Sequence, residues 1–271
     1  MNRRGLCFVA GVACIVLLSA PSAARAQTVG AAASFAVVGG QSVTAAAGAT
    51  QSVINGDVGV SPGTSITGFP AFAMTTPPYA THSNDGAAQN AQAATLALYN
   101  AIVALSPVTS ALLPELSGRN IGPGTYTIGA ANLAGPGTLT LTGSGTYVFK
   151  VASSLTANVG STVNLVGVDP CQVFWQVTSA ATLNGVNFVG NVVAQAGVTL
   201  GSNALLTGRA LTTSLGSVTL AGSNTITGCS NAAPPAPPGP GPVPTLTQWA
   251  MIGLTSLLML SGYFMLRRRT A

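Results

Sequence analysis

Charged side chains are scarce in this chain of 271 residues, which has nine Lys or Arg, four Asp or Glu and one His. Six of the nine basic residues lie in the two terminal segments, so residues 27–248 hold three basic and four acidic side chains, a net charge of −1. Nucleic-acid binding requires a basic patch, and cation binding requires clustered acids. The composition therefore predicts neither kind of partner.

General acid–base catalysis needs paired titratable groups, and this sequence offers few. His82 adjoins Ser83 and Asp85, but neighbours within one turn rarely reach triad geometry, and a helix-start turn explains them better. The acidic residues are scattered along the sequence, and Asp57 is predicted to be a turn residue. No Cys/His cluster in the sequence has metal-ligand spacing. We predict a protein that is not an enzyme, with no catalytic or metal site and no cofactor.

The N-terminal 26 residues have the pattern of a secretory signal peptide. Two arginines, Arg3 and Arg4, precede an apolar run at 6–20, and residues 24–26 form an A-x-A cleavage site. We therefore predict a signal peptide at 1–26 and an exported protein that begins at Gln27. An uncleaved anchor helix is the alternative.

The C-terminal part combines a linker and a second apolar run. Residues 232–244 are rich in proline, 249–266 carry no charge, and three arginines follow at 267–269. That run is long enough for one membrane span, and the arginines should remain cytoplasmic. The expected transmembrane helix and tail fall within 245–271, and a buried core helix is the alternative.

Two cysteines, Cys171 and Cys229, remain after removal of the signal peptide. An even number in an oxidising compartment predicts a disulfide between them. The bond would contribute roughly 4 kcal/mol by restricting the unfolded chain. Two unpaired buried thiols are the alternative.

Short β-branched runs, separated by Gly or Asn, fill the predicted folded domain at 27–231. The stretches 171–190, 191–208 and 209–228 can be aligned, and each carries Thr-Leu near its centre. A repeat of this length with several short strands is typical of a β-solenoid. Because side chains alternate along a strand, Thr182, Thr199 and Thr219 should point outward in one column. A β-sandwich is the alternative.

One alanine-rich segment, 84–105, departs from this β pattern. Its apolar residues recur at steps of four and three, which predicts one helix with an apolar stripe. The stripe consists of Ala87, Ala91, Ala94, Leu98, Ala101 and Leu105. Asn84 is the expected N-cap, and Pro107 ends the run. The helix should lie along the side of the solenoid.

Several stretches match a known family in order. They are 33–38, 53–63, 66–69, 99–100, 115–118, 123–126, 148–149, 173–177 and 206–211. Over about 33–228 the chain resembles the microbial ice-binding proteins. The resemblance implies a right-handed triangular β-solenoid, dominated by β structure, with one long α-helix alongside. It also implies that the N-terminal segment lies beside the C-terminal coils.

The same resemblance implies that one flat face of the solenoid binds ice. Carried over by position, its outward residues are Thr44, Thr67, Thr156, Thr182, Thr199 and Thr219. A threonine side chain is stiff and offers a hydroxyl and a methyl, so a row of them holds water at little entropic cost. Charges would impose competing hydration, and the face should have none. Outward threonine is, however, favoured in any β-sheet.

The tail resembles a second known pattern, the IPTL-type sorting signal of bacteria. The matching residues are Pro244, Thr245, Leu246 and Trp249, with Val243 in place of the usual Ile. The resemblance implies processing by an exosortase-like membrane enzyme and a location at the cell surface or outside the cell.

Two functions follow as hypotheses. The first is an exported ice-binding protein, antifreeze-like or adhesive, whose partner is the ice surface. The second is a structural or adhesive module of the cell surface or biofilm matrix that binds polysaccharide or neighbouring cells. A solenoid enzyme is disfavoured by the lack of acids and bases. We expect a monomeric domain with a transient or retained C-terminal membrane anchor.

Overall fold

A computed structural model of the chain describes residues 27–229. The predicted signal peptide, linker, sorting motif and transmembrane helix lie outside the described residues. Within 27–229, no helix is long and apolar enough to cross a membrane.

The described chain consists mainly of short strands, interrupted by the helix α1 (Gly86–Val103). Before the helix lie β1 (Phe35–Gly39), β2 (Ser42–Ala45), β3 (Ser52–Asn55), β4 (Asp57–Val60), β5 (Ser65–Thr67), β6 (Ala73–Thr75) and β7 (Thr81–Ser83). After it come β8 (Ser110–Leu112), β9 (Asn120–Ile121), β10 (Gly124–Ile128), β11 (Ala131–Leu133), β12 (Thr138–Thr142), β13 (Tyr147–Val151), β14 (Leu155–Ala157) and β15 (Thr162–Val166). The last are β16 (Val173–Val177), β17 (Ala180–Leu183), β18 (Asn187–Ala194), β19 (Gly197–Leu200), β20 (Leu205–Thr212), β21 (Ser217–Leu220) and β22 (Thr225–Thr227).

Successive coils stack in parallel and form a β-solenoid. One sheet has seven strands in the order β11-β14-β17-β19-β21-β2-β5, and the remaining strands form a 15-stranded sheet. The chain turns between the sheets at tight corners. Backbones also approach closely within the larger sheet: Gly208 in β20 has a φ of 150°, and a Cβ there would lie 2.0 Å from the carbonyl oxygen of Gly190 in β18. Only glycine fits such an approach.

The N-terminal coils stack on the last C-terminal coil, as the resemblance implies. Strand β1 pairs with β20, β2 pairs with β21, and β3 pairs with β22. The chain then returns through α1 to the opposite end of the stack, where β8 pairs with β10. The solenoid is therefore continuous in space but not in sequence.

The helix prediction is correct in place and wrong in detail. The N-cap is Asp85, whose carboxylate accepts a hydrogen bond from the Ala88 backbone N at 2.9 Å. Asn84 does not cap the helix because its φ of 48 already belongs to the preceding left-handed turn. The helix therefore starts later than predicted. At its C-terminal end, Lys150 Nζ donates hydrogen bonds to the carbonyl oxygens of Val103 and Leu105.

The buried face of the helix is also rotated from the predicted stripe. It consists of Ala88, Ala91, Gln92, Thr95, Leu98, Tyr99 and Ile102. Ala91 and Leu98 were predicted, whereas Ala87 and Ala101 are exposed. Alanine buries little area on either face, so the larger Leu98, Tyr99 and Ile102 decide which face packs on the solenoid. There they join Phe174, Val193 and Leu211 in one apolar cluster.

The solenoid interior is filled by aliphatic columns and a stack of four aromatic rings. Phe149 and Trp175 are nearly parallel at 4.1 Å between ring centroids, and Tyr126 and Phe188 continue the stack at 5.6 and 5.1 Å. Trp175 Nε1 donates to the carbonyl oxygen of Val189 at 3.0 Å, which satisfies its buried polar atom. The core therefore supports the strands from within and leaves their outer faces available.

Candidate functional site

The seven-stranded sheet brings all six predicted threonines into one row. In spatial order they are Thr156, Thr182, Thr199, Thr219, Thr44 and Thr67, each a Cα partner of the next. None of these pairings contains a register shift. At about 4.8 Å between strands, this threonine row is roughly 24 Å long.

Strand periodicity explains why the row points outward. In β19 the side chains of Val198 and Leu200 are buried while Thr199 between them is half-buried. The same alternation holds in β21 around Thr219. Because every second residue fills the core, the threonines are held at one height by the packing beneath them.

A second outward row runs beside the threonines and contains only small residues: Ala180, Gly197, Ser217, Ser42 and Ser65. The Ser42 hydroxyl donates to the Ser217 hydroxyl at 3.0 Å. Side chains this short leave the threonines as the highest groups. The seven strands carry no charged and no aromatic residue, so the face offers hydroxyls and methyls to a partner.

Four consecutive hydroxyls of the row, from Thr156 to Thr219, have no protein partner in the described chain. Across residues 27–229, no protein hydrogen bond uses the hydroxyl of Thr156, Thr182, Thr199 or Thr219. At the end of the row, Thr67 Oγ1 donates to Thr44 Oγ1 at 3.2 Å. The four hydroxyls without a protein partner are thus available to order water.

The opposite end of the row contains two residues that the sequence pattern did not reveal. Asn132 pairs with Thr156, and Glu115 forms an isolated bridge with Asn132. The Asn132 amide is occupied on both sides: its Nδ2 donates to Glu115 Oε2, and its Oδ1 accepts from Asn158 Nδ2. One feature of the sequence could have indicated the position of Asn132 in the row: Asn132 precedes Leu133, as threonine precedes leucine in the later coils.

Glu115 places one carboxylate beside a face whose seven strands are uncharged. Burial raises the pKa of Glu115, but hydrogen bonds from the backbone N of Ser117 and Ala134 and from Asn132 outweigh it and lower the pKa to about 2. The carboxylate is therefore ionised, and it accepts hydrogen bonds from the protein. Glu115 lies beyond Asn132 at the end of the threonine row and is not part of the row.

The other candidate residues named from the sequence, a histidine with its two neighbours and two cysteines, make structural contacts. His82 Nδ1 lies 2.8 Å from Asp85 Oδ2, while the Ser83 hydroxyl donates to the Thr64 carbonyl oxygen, so these three residues do not form a triad. No group of three His, Cys, Asp or Glu in the described part of the chain is placed to hold a metal ion. Cys171 and Cys229 are buried free thiols whose side chains interact with each other, so their disulfide stays a prediction.

The described chain thus combines a parallel β-solenoid, a helix packed on its side and an uncharged row of threonines on one sheet. The family described as ice-binding-like matches residues 37–227. The chain therefore belongs to the ice-binding-like family.

Relatives of known sequence or structure agree with this assignment. An ice-binding protein from Nostoc sp. (strain HG1) is 32% identical over 234 residues, covering 84% of each chain. A crystal structure of an ice-binding protein from an Antarctic biological consortium has a TM-score of 0.71 and 32% identity, covering 76% of this chain and 92% of that one. An ice-binding protein from the Antarctic ascomycete Antarctomyces psychrotrophicus has a TM-score of 0.67 and 35% identity, covering 74% and 98%.

Proposed function

We propose that this protein binds ice through the threonine row and acts as an antifreeze-like or recrystallisation-inhibiting protein. The observation that carries the proposal is the uninterrupted register of six threonines, of which four consecutive ones, Thr156 to Thr219, have hydroxyls without a protein partner in the described chain. Family membership supports it, since the relatives above are named as ice-binding proteins.

The physical basis is the order that the row imposes on water. A β-branched stem has few rotamers, so each hydroxyl and methyl occupies nearly one position. Strand pairing repeats that position every 4.8 Å or so. Because the side chains are already ordered, little conformational entropy is lost when the waters they hold merge with a crystal.

Ice-affinity partitioning of a purified 27–231 fragment tests the proposal. The fragment should concentrate in a slowly growing ice phase and keep ice grains small in annealed sucrose solutions. Exclusion from the ice phase together with unrestricted grain growth would contradict it.

The alternative is an adhesive module that binds a matrix polysaccharide through the same face. It is favoured by the sorting-type residues Pro244, Thr245, Leu246 and Trp249, which suit a cell-surface protein. Pull-down of the same fragment with insoluble polysaccharides distinguishes the two. Retention on polysaccharide without enrichment in ice would favour adhesion.

We also propose that the protein is exported, is not an enzyme, and folds as a monomeric, right-handed triangular solenoid. A C-terminal membrane helix would be handled by an exosortase-like enzyme. N-terminal sequencing of the exported chain should begin at Gln27. Intact mass of the surface-bound form should show whether residues after Trp249 remain.

A further inference from the structure

Arg209 is fully buried and lies where the N-terminal segment meets the C-terminal coils. Its Nη1 donates to Asn191 Oδ1 at 2.8 Å and to the Cys229 sulfur at 3.1 Å. Its Nη2 donates to the carbonyl oxygens of Ala33, at 2.7 Å, and Cys229. One guanidinium thus joins the N-terminal segment, a central coil and the last described residue.

This guanidinium has no carboxylate partner among residues 27–229. Its contacts are an amide, two carbonyls and a sulfur, and its Nε has no hydrogen-bond partner. A buried cation without a counter-charge is strongly unfavourable. Cys229 is the only ionisable group in hydrogen-bond contact with Arg209 in the described structure.

The second cysteine completes the site. The side chains of Cys171 and Cys229 interact, and Asn191 contacts both residues, with its Nδ2 donating to the Cys171 carbonyl oxygen at 3.1 Å and its Oδ1 lying 3.7 Å from the Cys229 sulfur. Cys171 is more deeply buried than Cys229, with 2% against 8% of its surface exposed. The nearby acid is Asp169, whose carboxylate accepts from the Cys171 backbone N at 2.8 Å.

We infer that Cys229, Cys171 and Arg209 form a polarised dithiol site, in which Cys229, the sulfur in contact with Arg209, is the attacking group and Cys171 is the resolving thiol. The ligand class is a protein disulfide of the export compartment, which acts as the oxidant. The presence of this oxidant depends on the export proposed above, whereas the difference in reactivity between the two thiols does not.

Electrostatics supports the assignment of roles. The interaction with the Cys171 thiol and the positive charge of Arg209 lower the pKa of Cys229, against the opposing effects of burial and Asp169. The interaction with Cys229, burial and the negative charge of Asp169 raise the pKa of Cys171. The Cys229 thiol therefore ionises more readily than the Cys171 thiol.

The reaction is a two-step thiol–disulfide exchange. The Cys229 thiolate attacks one sulfur of the partner's disulfide, a mixed disulfide forms, and the other partner sulfur leaves as a thiolate. The Cys171 thiol then attacks the Cys229 sulfur and breaks the mixed disulfide. Its proton passes to the partner sulfur that leaves in this step, which is released as a thiol. The dithiol loses two electrons, which reduce the partner disulfide to one thiol and one thiolate.

Oxidation removes the counter-charge of Arg209, which has a consequence for the product. Because the ion pair stabilises the reduced form, the Cys171–Cys229 bond should be easier to reduce than an ordinary structural disulfide. The Cys171–Cys229 bond is then a reversible link between the coil that begins at Cys171 and the end of the last coil, rather than a permanent crosslink.

Thiol labelling of the full chain tests the site. The reduced protein is treated with iodoacetamide at pH 7, and peptide mapping separates Cys171 and Cys229 from Cys7 and Cys14. Cys229 should be modified at least tenfold faster than Cys171, since each pKa unit changes the thiolate fraction about tenfold. Equal rates, or no labelling of either thiol before global unfolding, would overturn the inference without touching ice binding.

Two variants connect the effect to Arg209. Arg209→Met should abolish the preference for Cys229 and make the disulfide at least tenfold harder to reduce in glutathione buffers. Arg209→Lys, which keeps the charge, should retain part of both effects. A labelling ratio unchanged in Arg209→Met would contradict the role of Arg209, and the wild-type labelling decides the matter if neither variant folds.

Discussion

Thr44 on β2 and Thr219 on β21 are Cα partners on parallel strands, although most of the chain separates them in sequence. The Ser42–Ser217 hydroxyl contact beside them repeats the same junction. The threonine row is continuous only because the first coil stacks on the last. Its function should therefore depend on the closure of this junction as well as on the threonines.

The junction can be opened without touching the row. Gly40 donates its backbone N to Thr212 Oγ1 at 3.0 Å, and a Cβ at Gly40 would lie 2.1 Å from the carbonyl oxygen of Thr213. We expect Gly40→Ala to lower the free energy of unfolding by about 1–3 kcal/mol through overpacking, and to weaken ice activity by displacing Thr44 and Thr67. Urea unfolding and recrystallisation assays measure the two effects.

Gly122→Ala is the matched control, since nothing lies within 4 Å of a Cβ there. It should leave both measurements near wild type. Equal losses in the two variants would show that the junction has no special importance.

The aromatic stack should dominate core stability. Trp175→Ala removes the ring between Phe149 and Phe188, and such truncations cost about 3–5 kcal/mol. Phe72, which is 42% exposed, provides the comparison: Phe72→Ala should change the free energy of unfolding much less. Chemical denaturation followed by tyrosine fluorescence measures both, and similar values would contradict the assigned core.

Glu115 should make stability, but not ice binding, sensitive to acid. Its pKa falls from 4.5 to about 2 in the folded protein. A lowered pKa gives stability that is present above pH 4.5 and is lost as the pH falls towards 2. After screening of this partly exposed group, we expect about 1 kcal/mol.

The variant Glu115→Gln should lack this acid-dependent component, as seen by comparing unfolding at pH 6 and pH 3. Recrystallisation inhibition by the wild type should remain constant between pH 5 and pH 8, because the threonine row has no titratable group. An identical pH dependence of stability in wild type and variant would refute the role of Glu115.

Local patterns account for what the sequence predicted well. Alternation and the Thr-Leu repeat place Thr182, Thr199 and Thr219 because both are properties of consecutive residues. Thr44, Thr67 and Thr156 came only from family resemblance, since no local pattern links them to the later coils.

The features that the sequence did not predict depend on contacts between distant segments of the chain. Asn132 and Glu115 lie in coils that diverge from the repeat, so their place at the end of the row appears only in the strand pairing. The Arg209 site joins residues from both ends of the domain. The face of α1 was misassigned because alanines are compatible with either side, and tertiary packing made the choice.

The central claim is that the threonine row is the ice-binding site, and a pair of tyrosine variants tests it most directly. Thr199→Tyr places a bulky ring in the middle of the row, while Thr225→Tyr places the same ring on the other sheet, where Thr225 lies between Leu205 and Val53. Both threonines are half-buried outward residues, so each variant should remain within about 0.5 kcal/mol of wild-type stability. Recrystallisation inhibition measured over a concentration series should fall at least tenfold for Thr199→Tyr and remain at the wild-type level for Thr225→Tyr. Full activity in a folded Thr199→Tyr protein would contradict the account.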